Sequence, residues 1–149
     1  RREKSFRYPD NTAETRMTPE ETNTLLMKRP FFRFLGFTIV NIEEGHVAAQ
    51  MPFSESYIGN PVMNYYHGGI IASVMEAVAS VAVWQDLRNR SPKPINLTVD
   101  YLRPAIAEPL NVRATVLRKG RRMASVEAVS WQAEPEISVA KGLFHFLLA

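Results

Sequence analysis

The chain has 149 residues, of which 46% are hydrophobic and 22% are charged, and this balance is typical of one ordinary globular domain. It contains no cysteine, which excludes disulfides, thiolate metal sites and a cysteine nucleophile. The net charge of +3 is modest, and no basic helix, aromatic-rich ribonucleoprotein strand or zinc-finger pattern indicates nucleic acid as a partner.

The chain begins with a polar segment and a short predicted helix. Residues 1–17 are mixed in charge and lack the apolar core of a secretory signal, so we predict a flexible arm and a cytoplasmic protein. The remaining residues, 18–149, are expected to form a single domain. They open with "TPEE" (18–21), a capping box that starts a helix running to about Lys28, and Pro30 is expected to stop it.

Two strand-like runs follow this helix. Residues 34–42 and 46–53 are both strand-like, and "EEG" (43–45) between them predicts a hairpin with a short glycine-containing loop. Residues 54–66 carry a glycine and a proline and are expected to form a loop.

The next stretch, "HGGIIASVMEAVASVAVW" (67–84), predicts a helix of about 18 residues that ends near Gln85 or Asp86. It is too short to span a bilayer, so no membrane partner is expected. Because it is apolar on nearly all sides, other elements must enclose it. Short turns then separate four strand-like runs, which predicts an antiparallel meander over residues 95–102, 110–118, 124–133 and 137–148. The predicted fold class is α+β, with an antiparallel sheet wrapped around one long central helix.

One carboxylate, Glu76, lies in the middle of the apolar helix with no cation within a turn of it in sequence. An unpartnered carboxylate in an apolar site costs several kcal/mol or raises its own pKa, so a catalytic role is favoured over a structural one. Gly68 and Gly69 open the same helix, where unpaired N–H groups favour a developing oxyanion. Nine residues separate His67 from Glu76, or roughly 13 Å along the axis, so a helix from a second subunit is needed to complete a site.

Several motifs in this order resemble the hotdog-fold acyl-CoA thioesterases of the phenylacetate-degradation type. They are "GNP" (59–61), "HGG" (67–69), the carboxylate of Glu76, "VDYLRPA" (99–105) and the basic turn "RKGRR" (118–122), and the resemblance extends over roughly residues 36–148. The resemblance implies hydrolysis of an acyl-CoA thioester without a metal or bound cofactor, coenzyme A being part of the substrate. It also implies a dimer or tetramer in which two sheets join edge to edge.

The resemblance assigns roles by position. The N–H of Gly68 would donate to the thioester oxygen, and Glu76 would act as nucleophile or general base. Ser80, one turn after Glu76, matches a residue that helps hold the attacking water in related thioesterases, although it could equally be a small packing residue bonded to its own helix.

Other polar residues keep two interpretations. Either Asn60 or Asn64 would reach the site. His67 is interpreted first as a helix cap or loop anchor and second as a substrate contact. His46 and His145 have no neighbours at ligand spacing, so no metal site is predicted.

The basic turn is either a solvated hairpin tip or a site for the phosphates of coenzyme A. The candidate phosphate ligands are Arg118, Lys119, Arg121 and Arg122, with Arg103 as a further candidate.

Two rival functions were compared with the thioesterase interpretation. A hotdog dehydratase would need a histidine about fourteen residues before the glutamate, where this chain has Val62. A non-catalytic acyl-thioester binder would keep the pocket without turnover, and the presence of Glu76 argues against it.

Overall fold

The computed structural model describes residues 16–84 and 92–148. The first fifteen residues of the predicted arm and the predicted end of the long helix near Gln85 lie outside the described residues. The helices are α1 (Pro19–Leu26), α2 (Pro30–Leu35) and α3 (Gly68–Trp84), with a 3-10 turn at Glu55–Tyr57. The strands are β1 (Thr38–Glu43), β2 (His46–Met51), β3 (Ile58–Asn60), β4 (Tyr65–Tyr66), β5 (Lys93–Tyr101), β6 (Leu110–Lys119), β7 (Met123–Trp131) and β8 (Ser138–Leu147).

The N-terminal helix starts as its capping residues predict, but the next element was missed. The Thr18 hydroxyl accepts the N–H of Glu21 at 3.1 Å and caps α1. Pro30, expected only to end that helix, instead begins α2, because proline suits the first position of a helix. Gly36, at φ 63°, then ends α2, so β1 starts at Thr38 and not at Phe34 as predicted.

The main sheet has six antiparallel strands in the order β1-β2-β6-β7-β8-β5. The predicted β1–β2 hairpin and the β6–β7–β8 meander are confirmed. The predicted place of β5 beside β6 is wrong, because β2 occupies that edge of β6 and β5 pairs with β8 instead. Residues 102–109 therefore cross the end of the sheet. The N–H of Leu102 donates to the carbonyl of Val139 at 2.9 Å, and the Gln132 side chain accepts the N–H of Ile106 at 3.0 Å and donates to its carbonyl at 2.8 Å.

Helix α3 packs against this sheet, mainly on β6 and β7, and the predicted fold class is confirmed. The buried residues of α3 occupy most of its circumference: Ile71, Val74, Met75, Ala77, Val78, Ala79, Val81, Ala82 and Val83. Alternate residues of β6 and β7, such as Val112 and Val126, pack beneath it. Within the described residues, no helix combines the length and the apolar character needed to cross a bilayer.

The two edges of the sheet differ in how they are covered. On β1, the Asn23 side chain of α1 accepts the N–H of Ile39 at 2.8 Å and donates to its carbonyl at 3.0 Å, so it takes the place of a neighbouring strand. On β5, no described residue pairs with the outer edge, and the side chains of Ile95 and Leu97 are about half exposed. An open apolar edge of this length is a surface for pairing with another chain.

Candidate active site

The start of α3 is held in place by the segment before it. The predicted loop at residues 54–66 contains the 3-10 turn and a small sheet formed by β3 and β4. The N–H of His67 donates to the carbonyl of Tyr57 at 2.7 Å. Gly59 packs so closely on His67 that a Cβ at Gly59 would lie 2.7 Å from the His67 Cα, so this position requires glycine.

In the part of the chain that the structure describes, one N–H group in the first turn of α3 has no partner. The N–H of Gly69 donates to Nδ1 of His67 at 2.9 Å, and the N–H groups of Ile70 and Ile71 reach the His67 carbonyl at 3.0 and 3.5 Å. The N–H of Gly68 has no hydrogen-bond partner among residues 16–84 and 92–148. Of these four amides, Gly68 is therefore the donor that remains available to a ligand.

The ring of His67 caps this helix. Because Nδ1 accepts a backbone N–H, the proton of the neutral ring lies on Nε2. Gly69 was expected from sequence to offer an unpaired N–H to the substrate together with Gly68, but its amide donates to His67 instead.

Tyr101, at the end of β5, packs against the same glycine pair. Its hydroxyl donates to the carbonyl of Gly68 at 2.8 Å. A Cβ built on Gly68 would lie 3.0–3.1 Å from three atoms of the Tyr101 side chain, so the glycine allows this close approach. The sequence prediction noted the motif that contains Tyr101 but assigned it no role at the site.

A cavity of about 580 Å³ opens at the start of α3. Its lining includes Asn60, Tyr66, Gly68, Tyr101 and Arg103. Burial, together with the proximity of Tyr57, raises the pKa of Tyr66 to about 12, so this phenol stays protonated and donates to the carbonyl of Glu108 at 2.6 Å.

Of the two candidate asparagines, Asn60 lines the cavity and Asn64 does not. The Asn60 carbonyl oxygen accepts the N–H groups of Val62 and Met63, both at 3.1 Å, so it stabilises the following turn. Asn64 is exposed and has a left-handed backbone with φ of 60°, which asparagine adopts more readily than most residues.

Glu76 lies two turns further along α3, on the side of the helix that the sheet leaves partly uncovered. Its neighbours on this strip are Ala72, Ser73 and Ser80, all half-buried. Burial raises the pKa of the Glu76 carboxyl, and no described residue forms a hydrogen bond or ion pair with it. Glu76 does not line the cavity at Gly68, since eight residues of helix separate the two by roughly 12 Å.

The Ser80 hydroxyl is bonded to its own helix. It donates to the carbonyl of Ala77 at 2.7 Å, as the Ser73 hydroxyl does to the carbonyl of Gly69 at 2.6 Å. The Ser80 oxygen can still accept a hydrogen bond, so its part in holding water stays a prediction.

The predicted basic turn connects β6 and β7. It is closed by a hydrogen bond in which the N–H of Gly120 donates to the carbonyl of Met123 at 2.8 Å. A second cavity, of about 430 Å³, is lined there by Arg118, Arg121 and Arg122. Lys119 is not part of that lining, and it makes an interaction of its own within the chain.

Comparison with known proteins places this chain in a family. The sequence profile of the acyl-CoA thioesterase N-terminal domain matches residues 60–146, which is more than half of the chain. The chain belongs to this family of hotdog-fold thioesterases, and it is a thioester hydrolase.

Individual relatives agree with this assignment. The medium/long-chain acyl-CoA thioesterase YigI of Escherichia coli is 26% identical over 133 residues, which cover 80% of this chain and 85% of YigI. Thioesterase HI1161 of Haemophilus influenzae superposes with a TM-score of 0.81 at 21% identity, covering 89% of this chain and 91% of the other. Zebra fish thioesterase superfamily member 2 superposes with a TM-score of 0.79 at 21% identity, covering 89% and 99%. At these identities the two solved structures establish the fold alone.

Proposed function

We propose that the chain hydrolyses acyl-CoA thioesters to a carboxylic acid and free coenzyme A at a site built from two copies. The observation that carries this proposal is the separation, along one helix, of two polar groups that have no partner among residues 16–84 and 92–148. Gly68, whose N–H has no partner among the described residues, lines a cavity, while Glu76 lies roughly 12 Å further along the helix and outside that lining. A thioester carbonyl must lie about 3 Å from both its oxyanion donor and the attacking group.

A two-fold dimer meets this requirement. If two copies pair through their open β5 edges, their α3 helices run antiparallel and each Gly68 faces the partner's Glu76. The exposed apolar side chains near that edge support this arrangement, since Ile95, Leu97 and Leu102 would be covered by pairing. Val62, which is 89% exposed on the loop before α3, would gain cover from a partner in the same way.

The chemistry follows from the two groups. The N–H of Gly68 would stabilise negative charge on the thioester oxygen as the carbonyl carbon becomes tetrahedral. The raised pKa of Glu76 suits a general base that accepts a proton from water and passes it to the departing thiolate. Alternatively, the Glu76 carboxylate attacks the thioester carbon, the C–S bond breaks and the coenzyme A thiolate leaves, which forms a mixed anhydride. Water then cleaves this anhydride to the carboxylic acid and the Glu76 carboxylate, and a proton from the water goes to the thiolate. A burst of thiol equal to the number of sites would identify the direct attack.

The nucleotide part of coenzyme A is assigned to basic groups outside the apolar interior. Arg118, Arg121 and Arg122 line the second cavity, and Arg103 lines the cavity at Gly68. Guanidinium groups bind phosphate oxygens through paired, charge-assisted hydrogen bonds.

The first test measures thiol release from acyl-CoA substrates that range from short aliphatic to long aliphatic and aromatic acyl groups. We expect turnover of at least one class, and we expect Glu76→Gln to lower its kcat by on the order of 10² or more. Binding without turnover throughout the range would identify a non-catalytic binder instead. Near-normal turnover by Glu76→Gln would disprove the role of Glu76.

The second test asks whether the site is shared. Glu76→Ala chains and Gly68→Pro chains, each inactive alone, are unfolded, mixed and refolded together. Random pairing makes half of the dimers mixed, and each mixed dimer has one intact site, so about a quarter of the wild-type activity should return. If mixed dimers form and no activity returns, the two-chain site is wrong.

A further inference from the structure

The peptide group that joins Gly68 to Gly69 is held at both ends by side chains. Its N–H donates to Nδ1 of His67 at 2.9 Å, and its carbonyl accepts the hydroxyl of Tyr101 at 2.8 Å. The two side chains come from different places in the chain, one from the residue before the helix and the other from the edge strand β5. The start of α3 is thereby attached to the sheet as well as to its own cap.

A glycine pair needs such support if it is to present a hydrogen-bond donor in a fixed direction. Glycine has no Cβ to restrict its backbone, and residues at the start of a helix lack part of the helical hydrogen-bond pattern. An oxyanion donor contributes most when it is oriented before the reaction and does not have to move during it. A side chain that immobilises Gly68 therefore acts on catalysis through the Gly68 amide, in addition to any contact that it makes as part of the cavity lining.

We propose that Tyr101 is a positioning residue whose hydroxyl, together with the His67 cap, holds the Gly68–Gly69 peptide so that the Gly68 amide faces the cavity. This inference rests on the proposed function of Gly68 as the oxyanion donor. The ring of Tyr101 contributes as well, because it fills the space next to the Gly68 Cα that any other residue would need for its Cβ.

Removing the Tyr101 hydroxyl tests the inference with the smallest change. Tyr101→Phe keeps the ring contact and deletes only the 2.8 Å hydrogen bond. We expect kcat to fall about tenfold with KM changed less than about twofold, because donor alignment matters more in the transition state than in the bound substrate.

Tyr57→Phe is the matched control. The Tyr57 hydroxyl also donates to a backbone carbonyl, that of Leu35 at 2.6 Å, and it lies outside the cavity lining. The substitution keeps the Tyr57 backbone carbonyl that accepts the N–H of His67. This variant should lower the midpoint of thermal unfolding and leave kcat unchanged at temperatures where it is folded. The two variants separate a loss of alignment from a loss of stability.

A spectroscopic measurement separates this inference from the proposed hydrolysis. A ketone analogue of the acyl-CoA, with a methylene in place of sulfur and a ¹³C-labelled carbonyl, binds but cannot be hydrolysed. Its infrared carbonyl stretch should lie at lower frequency when bound to the parent protein than in Tyr101→Phe, because the Gly68 amide donates less well in the variant.

Each outcome decides one question. A Tyr101→Phe protein with parental kcat, or with a parental carbonyl stretch, overturns the positioning role even if Glu76→Gln is inactive and the hydrolase function stands. If no acyl-CoA is hydrolysed, the proposed function fails, and the carbonyl stretch still reports whether Tyr101 aligns the donor.

The His67 end of the peptide offers a rescue experiment. His67→Phe keeps a ring but has no acceptor for the Gly69 amide, whereas His67→Asn supplies a side-chain oxygen at a position where asparagine caps helices well. We expect His67→Phe to lose kcat and His67→Asn to recover most of it. Equal kcat values for the two variants would contradict the positioning role of the cap.

Discussion

Replacing Gly68 with proline removes the proposed oxyanion donor with little other change to the helix. Gly68 is the first residue of α3, where proline is accepted because its missing N–H has no helical partner. Proline also requires an extended residue before it, and residues that cap helices usually have that conformation. The substitution is therefore expected to leave α3 folded.

The expected loss follows from the amides of the first turn. Since Gly69, Ile70 and Ile71 already donate to His67, none of them can replace the lost donor without breaking a bond that holds the helix start. Loss of one oxyanion donor costs about 10² to 10³ in kcat, or roughly 3–4 kcal/mol of transition-state stabilisation. We expect a loss in this range.

Gly68→Ala is the control for the added side-chain atoms. Both variants place a Cβ 3.0–3.1 Å from the Tyr101 side chain, but alanine keeps the N–H. Tyr101 is 53% exposed and can move by the few tenths of an ångström required, so Gly68→Ala should lose no more than about tenfold, as Tyr101→Phe does. Thiol release gives kcat and KM, and circular dichroism checks the fold. If Gly68→Pro is as active as Gly68→Ala, the donor assignment is wrong.

Three other perturbations have defined outcomes. Asn23→Ala removes both hydrogen bonds to Ile39 and should lower the free energy of unfolding by about 1–3 kcal/mol in urea denaturation, whereas a change below about 0.5 kcal/mol would contradict the edge-covering role. Burial raises the pKa of the Glu76 carboxyl above its ordinary value of 4.5. The Glu76 side chain therefore contributes most to the free energy of unfolding below pH 4.5, and this contribution is lost as the pH rises through the pKa of the folded state. Glu76→Gln should therefore raise the midpoint of thermal unfolding more at pH 8 than at pH 4, and an equal effect at both would refute the burial argument. Changing Arg121 and Arg122 together to alanine should raise KM for acyl-CoA with less effect on kcat, and should leave a short pantetheine thioester unaffected; an equal loss on both substrates would make the turn structural.

The parts of the fold that follow from local sequence signals were predictable. The capping residues of α1, the glycine-containing hairpin and the long apolar helix each have a signal within a few residues, and each is present in the structure. The second helix was missed because Pro30 was interpreted only as a stop, although proline also suits a first helical turn. The position of β5 was wrong because the order of strands depends on which edges are already occupied, and a short connection does not reveal this.

The residues of the candidate site also differ in whether a local sequence signal identifies them. Gly68 and Glu76 could be named from sequence because a glycine pair before an apolar helix and a carboxylate within it are both unusual. Tyr101 could not, because its role depends on the β5–β8 register, which places it at the end of the edge strand next to the helix start. The distinction between the Gly68 and Gly69 amides likewise depends on where one histidine nitrogen points.

Tyr101 connects the open edge of β5 with the start of α3. It is the last residue of β5, the strand whose open edge is proposed to pair with a second copy, and its hydroxyl is bonded to the glycine proposed as the donor. Pairing at that edge would order β5 and with it the residue that aligns Gly68, while the same pairing brings the partner's carboxylate to the cavity. Dimer formation would then do more than supply a missing group, because it would also fix the donor in each copy. A chain kept monomeric should accordingly bind the ketone analogue with a carbonyl stretch closer to that of Tyr101→Phe than to that of the parent dimer.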